Sequence, residues 1–203
     1  DYTEQEDGIY DPGRDTNWSS DTSQNNKEHQ VLVGARFEPG GKLTGEAKVG
    51  WGTKDFDNNT DPVGFAYEDW SGLVFSAIST YQPLPRTSLF FNFQRAPFGS
   101  PDAQSSMFVN TLFQVKVQQA MAYRFSLNGA FSYNWDDYQN VAAGLPSKSF
   151  TRPEITVGAD WLWKPWLAIG AYYQYQNNIA SNDLYKTSEY TDNRVALFIT
   201  GSY

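Results

Sequence analysis

The chain has 203 residues, no cysteine, a formal net charge of -8 and an aromatic content of 17%, supplied by 7 Trp, 13 Tyr and 14 Phe. Without cysteine there is no disulfide framework and no thiolate metal site, and the acidic balance argues against a general nucleic-acid binder, which needs a basic stripe. No stretch approaches the roughly 18 apolar residues of a spanning helix.

In chain order, residues 1–28 are polar and turn-rich and predict a long extracellular loop, or a poorly formed strand between Tyr2 and Tyr10. From His29 the pattern becomes a period-two alternation, the signature of a strand. The first run sets Val31, Val33, Ala35 and Phe37 against Gly34, Arg36 and Glu38, and Pro39-Gly40-Gly41 turns it. Leu43, Gly45, Ala47, Val49 and Trp51 then oppose Thr44, Glu46 and Lys48, ahead of a polar loop over 55–67. A third run carries Leu73, Phe75, Ala77 and Tyr81 into Pro83-Leu84-Pro85; a fourth has Leu89, Phe91 and Phe93 opposite Ser88, Asn92 and Gln94, with a loop expected over 96–105.

The fifth run opposes Val109, Phe113, Val115 and Val117 to Asn110, Gln114, Lys116 and Gln118. After a Met121-Ala122 turn comes the cleanest strand, Phe125 to Trp135 at odd positions against Ser126, Asn128, Asn134 and Asp136 at even ones. A loop over 137–151 precedes Ile155, Val157, Ala159, Trp161 and Trp163, opposed by Glu154, Thr156 and Asp160. Lys164-Pro165 leads into Leu167, Ile169, Ala171, Tyr173 and Tyr175 against Gln174 and Gln176, and after a loop over 177–192 the last run has Val195, Leu197, Ile199 and Tyr203 opposite Arg194, Thr200 and Ser202.

This is about nine strands whose connections alternate between short and long, the rhythm of an up-and-down outer-membrane barrel with tight periplasmic turns and long external loops. A soluble sandwich shows the same alternation with its apolar face turned inward. The runs here are longer than the usual soluble strand of about five or six residues. Trp51, Tyr81, Trp135, Trp161, Trp163 and Trp166 gather near strand ends, where a membrane interface favours amphipathic rings. Because only alternate residues of such a wall meet lipid, a mean hydropathy of -0.57 is no obstacle.

The fold class expected is therefore an all-β, antiparallel, up-and-down transmembrane β-barrel occupying 29–203. An odd strand count with the first run heading inward further predicts that these strands belong to a larger, even-stranded barrel. The opening Asp1-Tyr2-Thr3-Glu4 is no signal peptide, so the numbering is expected to start after one or inside the gene product.

Several segments in order resemble a known family. They are Val33-Gly34-Ala35-Arg36-Phe37; Leu43-Thr44-Gly45-Glu46-Ala47-Lys48-Val49-Gly50-Trp51; Tyr81-Gln82-Pro83-Leu84-Pro85-Arg86-Thr87; Trp163-Lys164-Pro165-Trp166-Leu167 with Tyr172-Tyr173-Gln174-Tyr175; and Asp192-Asn193-Arg194-Val195-Ala196-Leu197. The set resembles the C-terminal part of the outer-membrane β-barrel porins encoded in bacterial exopolysaccharide loci, a family named for its barrel. The resemblance implies localisation in the bacterial outer membrane, and it implies passage of polar solutes or assistance to polysaccharide export. Closing on the aromatic Tyr203 is a habit of such barrels, where the terminal strand serves as an assembly signal.

The chain contains no nucleotide-binding glycine loop, nucleophile elbow or paired metal motif, so no enzyme and no cofactor is expected. His29, the single histidine, has no catalytic partner nearby in sequence. Acidic residues at Asp55 and Asp57, at Asp136 and Asp137, and over 183–192 lack the spacing of a cation loop and read as solvated charge. The candidate site is the row expected to line the lumen: Arg36, Glu46, Lys48, Asn92, Gln94, Asn110, Gln114, Lys116, Asn128, Asn134, Asp136, Asp160, Gln174, Gln176 and Arg194. Its amides and charges of both signs suit a polar neutral solute such as a saccharide, whereas most Trp and Tyr fall on the lipid side. Expected partners are outer-membrane lipid, a polar solute or polysaccharide, and other chains of an envelope complex, with no nucleic acid. A second reading is a scaffold barrel whose long acidic loops bind a partner or surface polymer.

Overall fold

The computed structural model describes residues 3–5, 26–57, 68–100, 105–139 and 146–201. The closing Tyr203 and most of the 1–28 segment lie outside the described residues. Ten antiparallel strands form one sheet in which spatial order equals chain order. They are β1 (Thr3–Gln5), β2 (Asn26–Phe37), β3 (Leu43–Phe56), β4 (Trp70–Leu84), β5 (Thr87–Gly99), β6 (Met107–Ala120), β7 (Phe125–Gln139), β8 (Ser149–Lys164), β9 (Leu167–Ala180) and β10 (Tyr190–Gly201). The nine long strands are those expected. The tenth, β1, adds three pairs to the start of β2, from Thr3 opposite Glu28 to Gln5 opposite Asn26. Among the described residues β10 has β9 as its one neighbour, so the sheet is open-edged, consistent with part of a larger barrel.

Register decides which way each side chain points. Val49 lies opposite both Val33 and Phe75, and Phe113 opposite both Phe93 and Tyr133. A neighbouring row runs through Phe91, Val115, Phe131, Ile155, Tyr175 and Asn193, so odd-numbered residues share one face from β2 to β10. That face is bare: Val31 is 73% exposed, Val33 75% and Leu197 81%, with Ile155, Val157 and Trp163 about half exposed. Fully buried apolar side chains are few, and no dry sandwich interior is present among the described residues. A water-soluble protein does not leave an apolar face of this extent uncovered; hydrocarbon satisfies it.

The band has rims. At the short-turn end, Trp161 and Trp163 lie with ring centres 6.3 Å apart, and Lys164 reaches over Trp163 and Trp166 at 5.8 and 5.7 Å. Trp51 and Trp135 mark the other level. From Phe125 to Trp135 a strand climbs about 33 Å, which a tilt of about 40° reduces to the roughly 25 Å apolar band of an outer-membrane barrel.

Several boundaries differ from expectation, mostly on the long-connection side. There β2 starts at Asn26 and β3 runs to Phe56, while β8 starts at Ser149 and β9 runs to Ala180. The hydrogen-bonded ladder continues past the lipid, where polar residues such as Asn177 and Asn178 carry no strand signal. Pro97 was expected in a loop, yet it lies in β5 opposite Val109. The β4 ladder stops at Phe75 opposite Arg95, so no partner on that side needs the amide hydrogen proline lacks. Pro153 sits in β8 where pairing to β9 is interrupted between Thr151 and Glu154. Val109, expected on the lipid face, lies above the band, buried with Phe56 and Met107 against Trp70.

The face assignment predicts opposite responses at adjacent positions. Ile155→Arg, at mid-band, should cost about 2–4 kcal/mol of folding free energy in lipid, whereas Thr156→Arg on the other face should cost less than about 1 kcal/mol. Urea-dependent folding of the intact protein into vesicles measures both.

Candidate functional site

The even-numbered face is built from rows that cross the strands. Close to the short turns, Ala120, Ser126, Asp160, Gly170 and Phe198 follow one another from β6 to β10, and above them Ser88, Gln118, Asn128, Gly158 and Tyr172 from β5 to β9. The next row is Phe90, Lys116, Ala130, Thr156, Gln174 and Arg194, and the next is Asn92, Gln114, Ser132, Glu154, Gln176 and Asp192. Above them come Gln94, Leu112, Asn134 and Arg152, then Ala96, Asn110, Asp136 and Phe150. All fifteen sequence-predicted residues fall on this face, spread from Arg36 on β2 to Arg194 on β10.

The structure gathers some of them and separates others. Asn110 donates to Asp136 at 2.6 Å and, at 3.5 Å, to Asn134, while the Arg152 guanidinium also closes on Asp136. Asn110 and Asp136 are 8% and 2% exposed, so they form a buried knot near the long-connection end instead of a wetted surface. Lower down, the Asn128 amide donates to Asp160. Glu46 pairs with Lys48 at 2.5 Å and Arg194 with Asp192 at 2.6 Å. The side-chain oxygen of Asn92 is buried and accepts no hydrogen bond.

Sequence reasoning missed the rings on this face. Phe90 lies 5.4 Å from the Lys116 ammonium, and Tyr172 packs on Phe198 at 6.5 Å. Higher up, Phe98, Phe108, Tyr138 and Phe150 form a chain of ring contacts at 5.7, 5.3 and 5.8 Å. Lys148, nearly buried, sits 4.6 Å over Tyr138. For Phe90, Tyr172 and Phe198 the usable signal was parity, an even number inside a run whose odd positions are apolar, whereas Phe98, Tyr138 and Phe150 fall where loops were expected. Of the acidic residues, Asp57 meets Lys27 at 3.8 Å and Asp183 meets Lys186 at 2.6 Å, so these carboxylates are engaged by ammonium groups.

The Lys186 hydrogen bond, and then its charge, hold the Asp183 carboxyl below its ordinary range, and the same bond raises Lys186. For an acid made stronger on folding, the stabilising contribution is present above its unfolded pKa and is lost as pH falls through the lowered value; for the raised lysine it is lost only as pH rises through the higher value. The turn Asp183–Ser188 between β9 and β10 should therefore show constant protection in amide exchange across neutral pH, corrected for intrinsic rates, and open in acid. Asp183→Asn should remove that acid dependence. At the buried knot, Arg152→Met leaves Asp136 short of a donor and should cost about 2–3 kcal/mol in the same vesicle-folding measurement. Asp136→Asn in the Arg152→Met background should restore part of that loss.

Comparison with known proteins places this geometry. A family model described as "Putative beta-barrel porin 2" matches residues 10–203. Among solved structures the chain is similar to OmpTdeltaL8, a loop L8 deletion mutant of OmpT, an outer membrane protein of Vibrio cholerae, with a TM-score of 0.50 and 15% identity. That alignment covers 88% of this chain and 55% of the other, so the chain spans about half the length of this neighbour, and at such identity the likeness is one of fold. No curated protein matches the chain.

Proposed function

Because the chain belongs to that β-barrel porin family, we propose that it forms wall strands of an outer-membrane pore that passes polar solutes, saccharides among them. The supporting observation is the shared parity: across the apolar band one register keeps odd-numbered residues on the bare face and leaves amides, hydroxyls and balanced charges on the other. In a closed barrel that second face encloses water, and selectivity follows from what lines it. Exposed Lys116 is more available to a passing ion than Lys48, which pairs with Glu46, or Arg152, which is tied to the buried Asp136. The role is passive conduction, with neither cofactor nor covalent chemistry.

The full-length protein, reconstituted in liposomes, should conduct ions and admit small uncharged polyols in a swelling assay. Lys48→Glu with Lys116→Glu should move the reversal potential in a salt gradient toward cation preference, whereas a charge reversal on the external connections should move it less. A protein that folds into the bilayer and carries neither ions nor polyols would instead be the scaffold barrel whose long acidic loops bind a partner.

A further inference from the structure

Low in the wall, the even face holds a trough of about 490 Å³, within the usual size of small-molecule sites. Its floor is made of small residues, Ala130 on β7 and Gly158 on β8. Phe90 stands on one side beneath the Lys116 ammonium; Tyr172 and Phe198 stand on the other. From Phe90 on β5 to Tyr172 on β9 there are four strand spacings, so the walls stand about 19 Å apart measured along the sheet. Glycine at position 170 keeps the second wall in place: a methyl there would lie 2.5 Å from the Asp160 carboxylate and nearer still to the Phe198 ring. Backbone room at Gly170 thus lets Phe198 lean over the sheet.

Between the walls project amides and hydroxyls, Asn128, Thr156 and Gln174, with one cation, Lys116, and one carboxylate, Asp160. The two charges balance, and Asp160 already accepts from Asn128. A purely apolar occupant would leave the amides unpaired, and an ion of either sign would meet its like. What fits is a flat ring with an apolar C–H face for the aromatic walls, whose electron-rich faces attract weakly positive hydrogens, and an equator of hydroxyls for the amides. We propose that this trough is a stacking subsite for neutral saccharides, taking a pyranose ring or a short run of them. The proposal rests on the pore reading above and deepens it.

The test uses the full-length protein with maltohexaose and cellohexaose as probes and sorbitol as an open-chain polyol lacking a ring face. Binding is read twice, by calorimetry in detergent and by sugar-induced block of ion current in planar bilayers. At least one oligosaccharide should bind and block, and sorbitol should not. Phe90→Ala with Tyr172→Ala should raise the half-blocking concentration about tenfold while the open-pore current holds. Ala130→Phe, which fills the floor without removing a wall, should abolish the block, and a heat-modifiable band on denaturing gels confirms that each variant folds. Current without sugar binding in either assay, or equal block by sorbitol, overturns the subsite and leaves the pore standing. Calorimetric binding that the wall variant loses, in a protein carrying no current, supports the subsite and overturns the pore.

Discussion

Hydrocarbon offers no hydrogen bonds, so every backbone amide and carbonyl inside the apolar band must find a partner in an adjacent strand. This requirement governs the rest. It explains strands of 12 to 16 residues, longer than sheets in water need. It also explains why the two register shifts, between Tyr81 and Leu84 and between Leu162 and Lys164, fall at short turns and not mid-band. All three prolines within described strands, Pro83, Pro97 and Pro153, lie where a neighbouring ladder is absent or interrupted. Once the ladder is continuous, side-chain direction is settled too, because a slip of one residue would turn an entire apolar row inward.

Much of this was legible in the order of residues. Alternation in runs such as Phe125 to Trp135 fixes a face without reference to any other strand, and Pro39-Gly40-Gly41 marks a turn because Gly40 and Gly41 take positive φ, 69° and 74°. Strand ends were harder. Above the lipid no apolar row is needed, so hydrogen bonding continues through sequence that looks like loop; Asn177 and Asn178 lie in β9 for that reason. The first three-residue strand was legible only as a weak alternation between Tyr2 and Tyr10, since its support comes from Asn26, Lys27 and Glu28, far along the chain.

The candidate site was legible as a face and not as a place. Parity put all fifteen polar residues on one side, but it could not tell buried Asp136 from Lys116, which stays open to solvent. That difference arises from neighbours: Asp136 is enclosed by Asn110 and Arg152, contributed by the strands on either side. The rings were hidden by a sound generalisation. Aromatics in such a wall mostly serve its lipid rims, as Trp161 and Trp163 do, and only their even numbers set Phe90 and Tyr172 apart.

The strictly sequential strand order has a kinetic meaning. Each strand pairs with the one just before it, so alternate ladders can zip from a short turn and the others close across a single longer connection between chain neighbours, which keeps the loop-closure entropy of each step modest. Construction can proceed hairpin by hairpin, with no segment threaded between two others. The growing margin then always presents one unsatisfied strand, open to stray pairing until the following hairpin covers it.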